Sequence, residues 1–425
     1  MSPTISIGGR KIGPDHEPYV IAAINSCHGG DIQLATEQIA LAQKAGADAV
    51  KFQNFDAASL VPEVPESELS DQPWMKTAWE HSPKPTSLHE FYGKVLRSPS
   101  SVADQLFRLS GQLGMTYFST PLNIKDADHL IMRHDQPAFK LTAHESQFYP
   151  LIERLARTGK PLLLNVAVSE KADVDQALAI TDEYGAPVVL LTGPKLCCAS
   201  PESRAECGRH FGMSRLHALL KDYPEKVVGI SDHFFPTSID STTYHGYEFA
   251  VAAVFHGASV VSKAFSGIDC GSENNLEAQF ASLTAEMKEL KRLTGVAWRA
   301  RTRGSLGNLE KAELDHCLEL AKVDTATNAY GPTGAEIQNN EIGLQRVLTA
   351  ARPMASGHRI GLGDLHFTRL VQANVPFRDQ LIHSIHVSQV IGNQPLEAVP
   401  QGYPLRTDNL RQAIDLSADF VTGTF

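Results

Sequence analysis

Three lysines interrupt otherwise apolar runs of this sequence: Lys51 in VKFQNF, Lys140 in FKLTAHE and Lys263 in VVSKAF. An ammonium group in such a run is costly to bury unless something anionic meets it. Glu145, Asp232 and Asp269 are the internal carboxylates that could do so. Hydroxyls at neighbouring positions, Thr120 in FSTP and Ser231 in GISDHF, favour a second reading. Hydroxyls beside ammonium groups suit a phosphate or carboxylate ligand. For Lys51 or Lys140 alone, an internal ion pair explains the residue as well as a ligand does. For both together with the two hydroxyls, an anion site is the better explanation.

Two histidines stand where chemistry is plausible. His233 follows Asp232 and offers a metal ligand, a general base or a hydrogen-bonded rim residue. His28 lies between Cys27 and a Gly29–Gly30 pair, which either lets the backbone approach a ligand closely or simply makes a turn. Cys197, Cys198, Cys207 and His210 form a possible zinc set, but their spacing matches no standard knuckle, so reduced thiols are the default. His245, His256, His383 and His386 show no partner pattern and read as structural.

These residues fall at the ends of, or within, short aliphatic runs bounded by Gly, Pro or polar residues. The predicted strands are 19–24, 47–53, 115–119, 138–141, 161–166, 187–191, 227–231 and 259–263. Amphipathic stretches separate them. Asp31 caps the first, whose Leu34, Leu41 and Ala45 lie close to one face, and Gly46 ends it. Eight strands alternating with helices predict parallel pairing and a closed (β/α)8 TIM barrel. In such a barrel, chemistry sits at the C-terminal ends of the strands, where these polar residues cluster. An open doubly wound sheet is the alternative, weakened because no GxGxxG follows the first strand. Residues 56–100 and 193–215 interrupt the repeat, the first as a lid or interface insertion. From about residue 350 the tail turns Gly- and Pro-rich with short strand-like pieces, predicting a small β-rich domain.

The bulk properties set limits. A chain of 425 residues exceeds one compact core. Its 42% hydrophobic and 20% charged residues are ordinary for a soluble globular protein. A formal net charge of -10 argues against a nucleic-acid partner. No apolar run is long enough to cross a bilayer, and the N-terminus lacks the blocks of a signal peptide. Six irregularly spaced cysteines read as reduced thiols in a cytoplasmic setting.

As an ordered set, EPYVIAAINSCHGGD, GADAVKFQNF, FSTP, FKLTAHE, GISDH and VVSKAF resemble the sialic acid synthase (NeuB-like) family. That family's wording is close to AEIGxNHNG, GADAVKFQ, STP, YKIAS, GYSDH and EKHF. In the tail, IGLGDLHFTRL resembles the family's antifreeze-like (SAF) domain, and GPTGAEIQNN resembles the linker before it. The resemblance implies a barrel over 1–300, a linker over 301–350 and an antifreeze-like domain over 351–425. It also implies a condensation of phosphoenolpyruvate with an aldehyde or sugar-like acceptor, with release of phosphate. The donor is then held by Lys51, Thr120, Lys140 and Ser231, with Lys195 an added cation. Arg369 matches the arginine that reaches the acceptor over the barrel of a partner subunit, which implies a domain-swapped homodimer. His233 is the expected ligand of a divalent metal, manganese or magnesium, and His233, Glu145, Lys263 and His28 are the candidates for acid–base chemistry.

The acceptor end departs from the family wording. Its sugar-contacting Glu is Ala23 here, its second metal histidine is Ala264, and the Glu of EKHF is Ser262. The later Pro-Asp-His is Ser272, Glu273 and Asn274, and an aromatic in the loop after the sixth strand is lost. One imidazole alone binds a divalent ion weakly. The expectation is a synthase with an altered acceptor. The rivals are a metal-independent lyase or phosphate-eliminating enzyme using Lys263 or His28, and a non-catalytic binding homologue.

Overall fold

The computed structural model describes residues 2–61, 88–90, 92–93, 98, 100–133, 135–193, 213–234, 237–239, 242–270, 281–320, 330, 346–370, 375 and 377–423. An antiparallel hairpin, β1 (Ile5–Ile7) and β2 (Arg10–Ile12), precedes the main sheet. Parallel strands then follow in chain order: β3 (Tyr19–Asn25), β4 (Ala49–Asn54), β5 (Thr116–Pro121), β6 (Phe139–Leu141), β7 (Leu162–Asn165), β8 (Val188–Thr192) and β9 (Val227–Asp232). A second short antiparallel pair, β10 (Thr237–Ile239) and β11 (Thr242–Tyr244), leads to β12 (Val260–Gly267). β12 pairs with both β3 and β9, which closes the barrel. The fold is the expected (β/α)8 barrel. Both flanking hairpins were missed because three-residue strands carry little periodicity.

Helices fill the outer layer. α1 (Ile32–Lys44) starts at Asp31, whose carboxylate accepts from the N–H groups of Gln33 and Leu34 at 2.8 and 3.2 Å. Gly46, at φ 83°, ends the turn after it, a conformation that favours glycine. After β4 comes the short α2 (Ala57–Leu60), and later α3 (Ser100–Gln112), α4 (Ile124–Arg133), α5 (Tyr149–Ala156), α6 (Lys171–Glu183), α7 (Ser214–Asp222) and α8 (Glu248–Phe255). The barrel side ends with a short strand, β13 (Ser282–Leu283), on β12, then α9 (Thr284–Arg303) and α10 (Asn308–Leu320), both packed on α8. α10 falls within the stretch read from sequence as linker.

Strand alternation sorts the buried residues into two cores. Tyr19, Ile21, Ala49, Phe118, Ala138, Leu163, Val189, Leu191, Val227 and Val260 fill the barrel interior, with Ile7 and Ile12 of the hairpin plugging its N-terminal end. Val20, Val50, Phe52, Tyr117, Leu164, Ile230 and Val261 face the helices.

The tail pairs β14 (Val347–Ala350) with β15 (Leu365–Thr368) in antiparallel register and adds isolated bridges such as Val347–His383 and Thr349–Pro404. It packs onto its own barrel through Phe367 on Phe148, ring centroids 5.3 Å apart, and Phe420 on Tyr149, 5.8 Å apart. Glu153, buried on α5, accepts the Gly423 N–H at 2.8 Å and so ties down the end of the tail.

Candidate active site

The C-terminal ends of the strands bring four expected residues into the barrel interior. Lys51 shares the inward face of β4 with Ala49, and Lys140 that of β6 with Ala138. Thr120 follows Phe118 on β5, and Ser231 follows Val227 and Gly229 on β9. All four are buried, with Lys51 1% and Lys140 3% exposed. Lys140 Nζ donates to Ser231 Oγ at 3.0 Å and to Ser262 Oγ at 2.8 Å. Those two serines are register partners on β9 and β12, so they present paired hydroxyls to one ammonium. Lys51 Nζ donates to Asn25 Oδ1. Asn25 is left-handed at φ 55°, and the β3–β4 register shifts there. A non-glycine residue in that conformation is uncommon, and Asn tolerates it better than most. Thr120 Oγ1 is buried and has no hydrogen-bond partner among the described residues.

Close backbone approach shapes the same region. Gly193, at φ 152°, leaves no room for a side chain, since a Cβ there would lie 2.1 Å from the Ser231 carbonyl oxygen. Only glycine lets the end of β8 meet Ser231 so closely. Two buried ammonium groups, flanked by hydroxyls and an amide oxygen, have the chemistry that suits a phosphate or carboxylate.

The acceptor-side departures converge in space. Ala23 pairs in register with both Lys51 and Ala264, and the two alanines are 3% and 2% exposed. The positions where the family wording has Glu and His are therefore adjacent, and both are small and apolar here.

The remaining candidates lie elsewhere. Lys263 does not enter the barrel. It alternates with inward Ser262 and donates from the outer side to Asp232 Oδ2 at 3.1 Å, Gly246 O at 2.6 Å and Phe234 O. With three acceptors, its ammonium is held as a structural group, which corrects the expectation of acid–base chemistry there. Asp232 also accepts the Phe234 N–H at 2.8 Å, and burial pushes its carboxyl up despite Lys263. Replacing Lys263 with Met should destabilise the barrel by about 3–5 kcal/mol, because Asp232 would stay buried without its cation. Thermal unfolding checks this, and an unchanged melting curve would refute the pairing.

His28 is likewise displaced from the expected role. Its ring packs edge-on against Phe52, centroids 5.7 Å apart, on the helix side of the barrel wall. Nδ1 accepts the Gly30 N–H at 3.0 Å, and burial pushes the imidazole down to about 4. It is neutral at neutral pH and serves to shape the turn.

Glu145 closes a 3-10 turn after β6 and is completely buried. Its Oε1 accepts from Arg346 Nη2 and Arg369 Nη2, and its Oε2 from the Thr142 hydroxyl. Burial acts to raise its pKa, but the two guanidiniums outweigh burial and hold it below the usual carboxylate range. An ionised carboxylate with these partners is a poor proton donor, so the acid–base role expected of Glu145 gives way to a clamp. Arg369 also donates to the Tyr92 hydroxyl, and its backbone N–H reaches Leu60 O at 2.7 Å. The contact expected to span two subunits is here made by the tail on its own barrel. Arg346 escaped the sequence reading because it belongs to none of the motifs singled out there.

His233 lies half-buried just past β9. Among the described residues no group of three or more His, Cys, Asp or Glu is placed to hold a metal ion. Asp232 is committed to Lys263, and Ala264 supplies no ligand atom. The described residues thus do not fit a divalent-metal centre. Lys195, Cys197, Cys198, Cys207, His210, Ser272, Glu273 and Asn274 lie outside the described residues. Among the described residues, Cys27, Cys270 and Cys317 are in no disulfide. No helix among the described residues is long and apolar enough to cross a membrane.

Comparisons with known proteins agree with this architecture. A solved structure of the spore coat polysaccharide biosynthesis protein SpsE from Bacillus subtilis covers 96% of this chain and 99% of its own, with a TM-score of 0.67 and 20% identity. The pseudaminic acid synthase of Campylobacter jejuni (strain 81-176) is 24% identical over 299 residues, 70% of this chain and 78% of that protein. The N-acetylneuraminate-9-phosphate synthase of Mus musculus is 27% identical over 262 residues, 60% of this chain and 64% of that protein. With residues 38–305 matching the NeuB family, a span that contains both barrel lysines and the serine pair, the chain belongs to that family.

Proposed function

We propose that this protein is a phosphoenolpyruvate-condensing synthase of the sialic acid synthase type, acting on an acceptor different from the usual amino-sugar aldehyde. The observation that carries the reading is the pair of buried lysines, with Lys140 held between Ser231 and Ser262 and Lys51 beside Asn25. Phosphoenolpyruvate brings a phosphate and a carboxylate, and two separate ammonium groups suit the two anionic ends. Family membership supports the same donor, as do relatives named as pseudaminic acid and N-acetylneuraminate-9-phosphate synthases.

In the reaction, C3 of phosphoenolpyruvate attacks the aldehyde carbon, water adds at C2, and phosphate leaves. Lys51 and Lys140 hold the donor and, where charge grows on the departing phosphate, stabilise it. Thr120 supplies a free hydroxyl for the same anion. His233, half-buried just past β9, is the residue we assign to carry a proton. Ala23 and Ala264 remove a carboxylate and an imidazole from neighbouring positions, so the acceptor is one that needs neither. Arg369 faces the mouth from the tail, and a homodimer is compatible with it without being required, since one chain makes the contact.

A thermal-shift titration with phosphoenolpyruvate should raise the melting temperature. Phosphate release should then follow with some member of an aldehyde panel, assayed with manganese and with EDTA. No shift would sink the donor site. Binding without turnover on any aldehyde favours the non-catalytic homologue, and turnover unaffected by EDTA shows that His233 needs no metal.

A further inference from the structure

Two loops at the barrel mouth follow donor-side residues: Leu122 comes shortly after Thr120 on β5, and Glu145 shortly after Lys140 on β6. One tail side chain reaches both. Arg346 Nη2 donates to Leu122 O at 2.9 Å and to Glu145 Oε1. Its guanidinium lies 5.5 Å from the centre of the Phe148 ring, at the start of α5. Its own carbonyl accepts the Ser384 N–H at 2.7 Å, so the main chain at Arg346 belongs to the tail. Arg346 is 0% exposed and, among the described residues, is the bulkiest fully buried side chain.

A guanidinium in this setting is a poor stabiliser. Burial and the neighbouring Arg369 both act against its charge, and Glu145, with Tyr92, opposes them without outweighing them. Its Nε and Nη1 have no hydrogen-bond partner among the described residues. Buried ionic groups of this kind are often no better for stability than apolar replacements, and their best-attested use is to fix register. Here the register is that of two strand-end loops against each other and against the strand β15 that leads to Arg369.

We propose that Arg346 is a positioning residue that fastens the loops following Thr120 and Lys140 and holds Glu145 against Arg369, so that donor binding in the barrel and docking of the tail are coupled. The coupling rests on the reading of the barrel interior as the phosphoenolpyruvate site; the fastening does not. Linkage makes the effect reciprocal, so the donor should tighten the tail as the docked tail tightens the donor site.

The test uses the full chain with Arg346→Met and Arg346→Lys, hydrogen exchange by peptide, and phosphoenolpyruvate affinity by calorimetry. Without ligand, Arg346→Met should speed exchange over 119–123, 142–148 and 365–369 and leave the hairpin at 5–12 unchanged. Phosphoenolpyruvate should bind about tenfold more weakly, within the usual range of coupling between sites. In wild type it should slow exchange in the tail, and in Arg346→Met it should not, even at saturation. A purely stabilising side chain would not move that last readout. Arg346→Lys, which keeps a charge for Glu145, should recover part of both effects, and it carries the test should the Met variant fail to fold. Unchanged exchange in the three segments overturns the fastening. Equal donor affinity in wild type and variants overturns the coupling alone. A wild type that ignores phosphoenolpyruvate sinks the donor reading and the coupling, with the exchange pattern still deciding the fastening.

Discussion

Lys140→Met is expected to weaken phosphoenolpyruvate binding by at least about thirtyfold and to stop phosphate release. Met fills much the same volume, so the apolar strand around it need not rearrange. What disappears is the ammonium that Ser231 and Ser262 hold at 3.0 and 2.8 Å. Removing one member of a buried, hydrogen-bonded charge pair costs about 2–5 kcal/mol, since the ligand's charge is then left desolvated without compensation. That range corresponds to about thirtyfold up to several thousandfold in affinity. Isothermal titration of wild type and variant measures it directly. A variant that folds and binds the donor as tightly as wild type would show that the lysine serves only the barrel.

The same pair of serines shows which parts of the site could be read from residue types alone. Ser231 stood out beside Asp232 and His233 at the end of a predicted strand. Ser262 drew notice only as a departure from a family pattern, yet it bonds the same lysine, because register places it next to Ser231. Register is a property of the closed barrel, and residue order does not display it. Lys263 could not be assigned to a face for a related reason. In a barrel both faces of a strand are buried, so VVSKAF lacks the apolar–polar alternation that would assign its lysine to one face.

The barrel itself was legible. All eight predicted strands are present with ends displaced by a few residues, the largest being β12, which continues to Gly267. Short aliphatic runs bounded by Gly and Pro, each followed by an amphipathic segment, leave few other ways to bury both faces of a sheet. The tail was legible as a change of composition and, through IGLGDLHFTRL, as a resemblance, but not in how it meets the barrel. Its contacts with the barrel depend on Arg346, Phe367 and Phe420, which meet Leu122, Glu145, Phe148 and Tyr149 far away in the sequence, and no local pattern reports that.

Glu145→Ala should release the tail from the barrel mouth. In wild type one carboxylate oxygen serves two guanidiniums, from Arg346 and Arg369, in a site closed to solvent. Deleting it leaves two like charges buried together, and breaking a buried pair in this way costs about 3–5 kcal/mol. The loss should be confined to the junction, visible as faster hydrogen exchange and proteolysis across 346–369, with the barrel hairpin at 5–12 unaffected. Acidity should do the same to wild type, and the sign follows from the direction of the shift. The folded pKa of Glu145 lies below its unfolded value, so the stabilisation is fully present above the unfolded value and is lost as pH falls through the folded one. Tail docking should therefore be constant at neutral pH and fail only under strongly acidic conditions. Glu145→Gln, which keeps a neutral oxygen acceptor, should dock weakly and with little dependence on pH over the same range. A wild-type tail that loosens between pH 7 and 5, or a Gln variant with the wild-type acid profile, would assign the effect to another group, with His383 and His386 in the tail the first to examine.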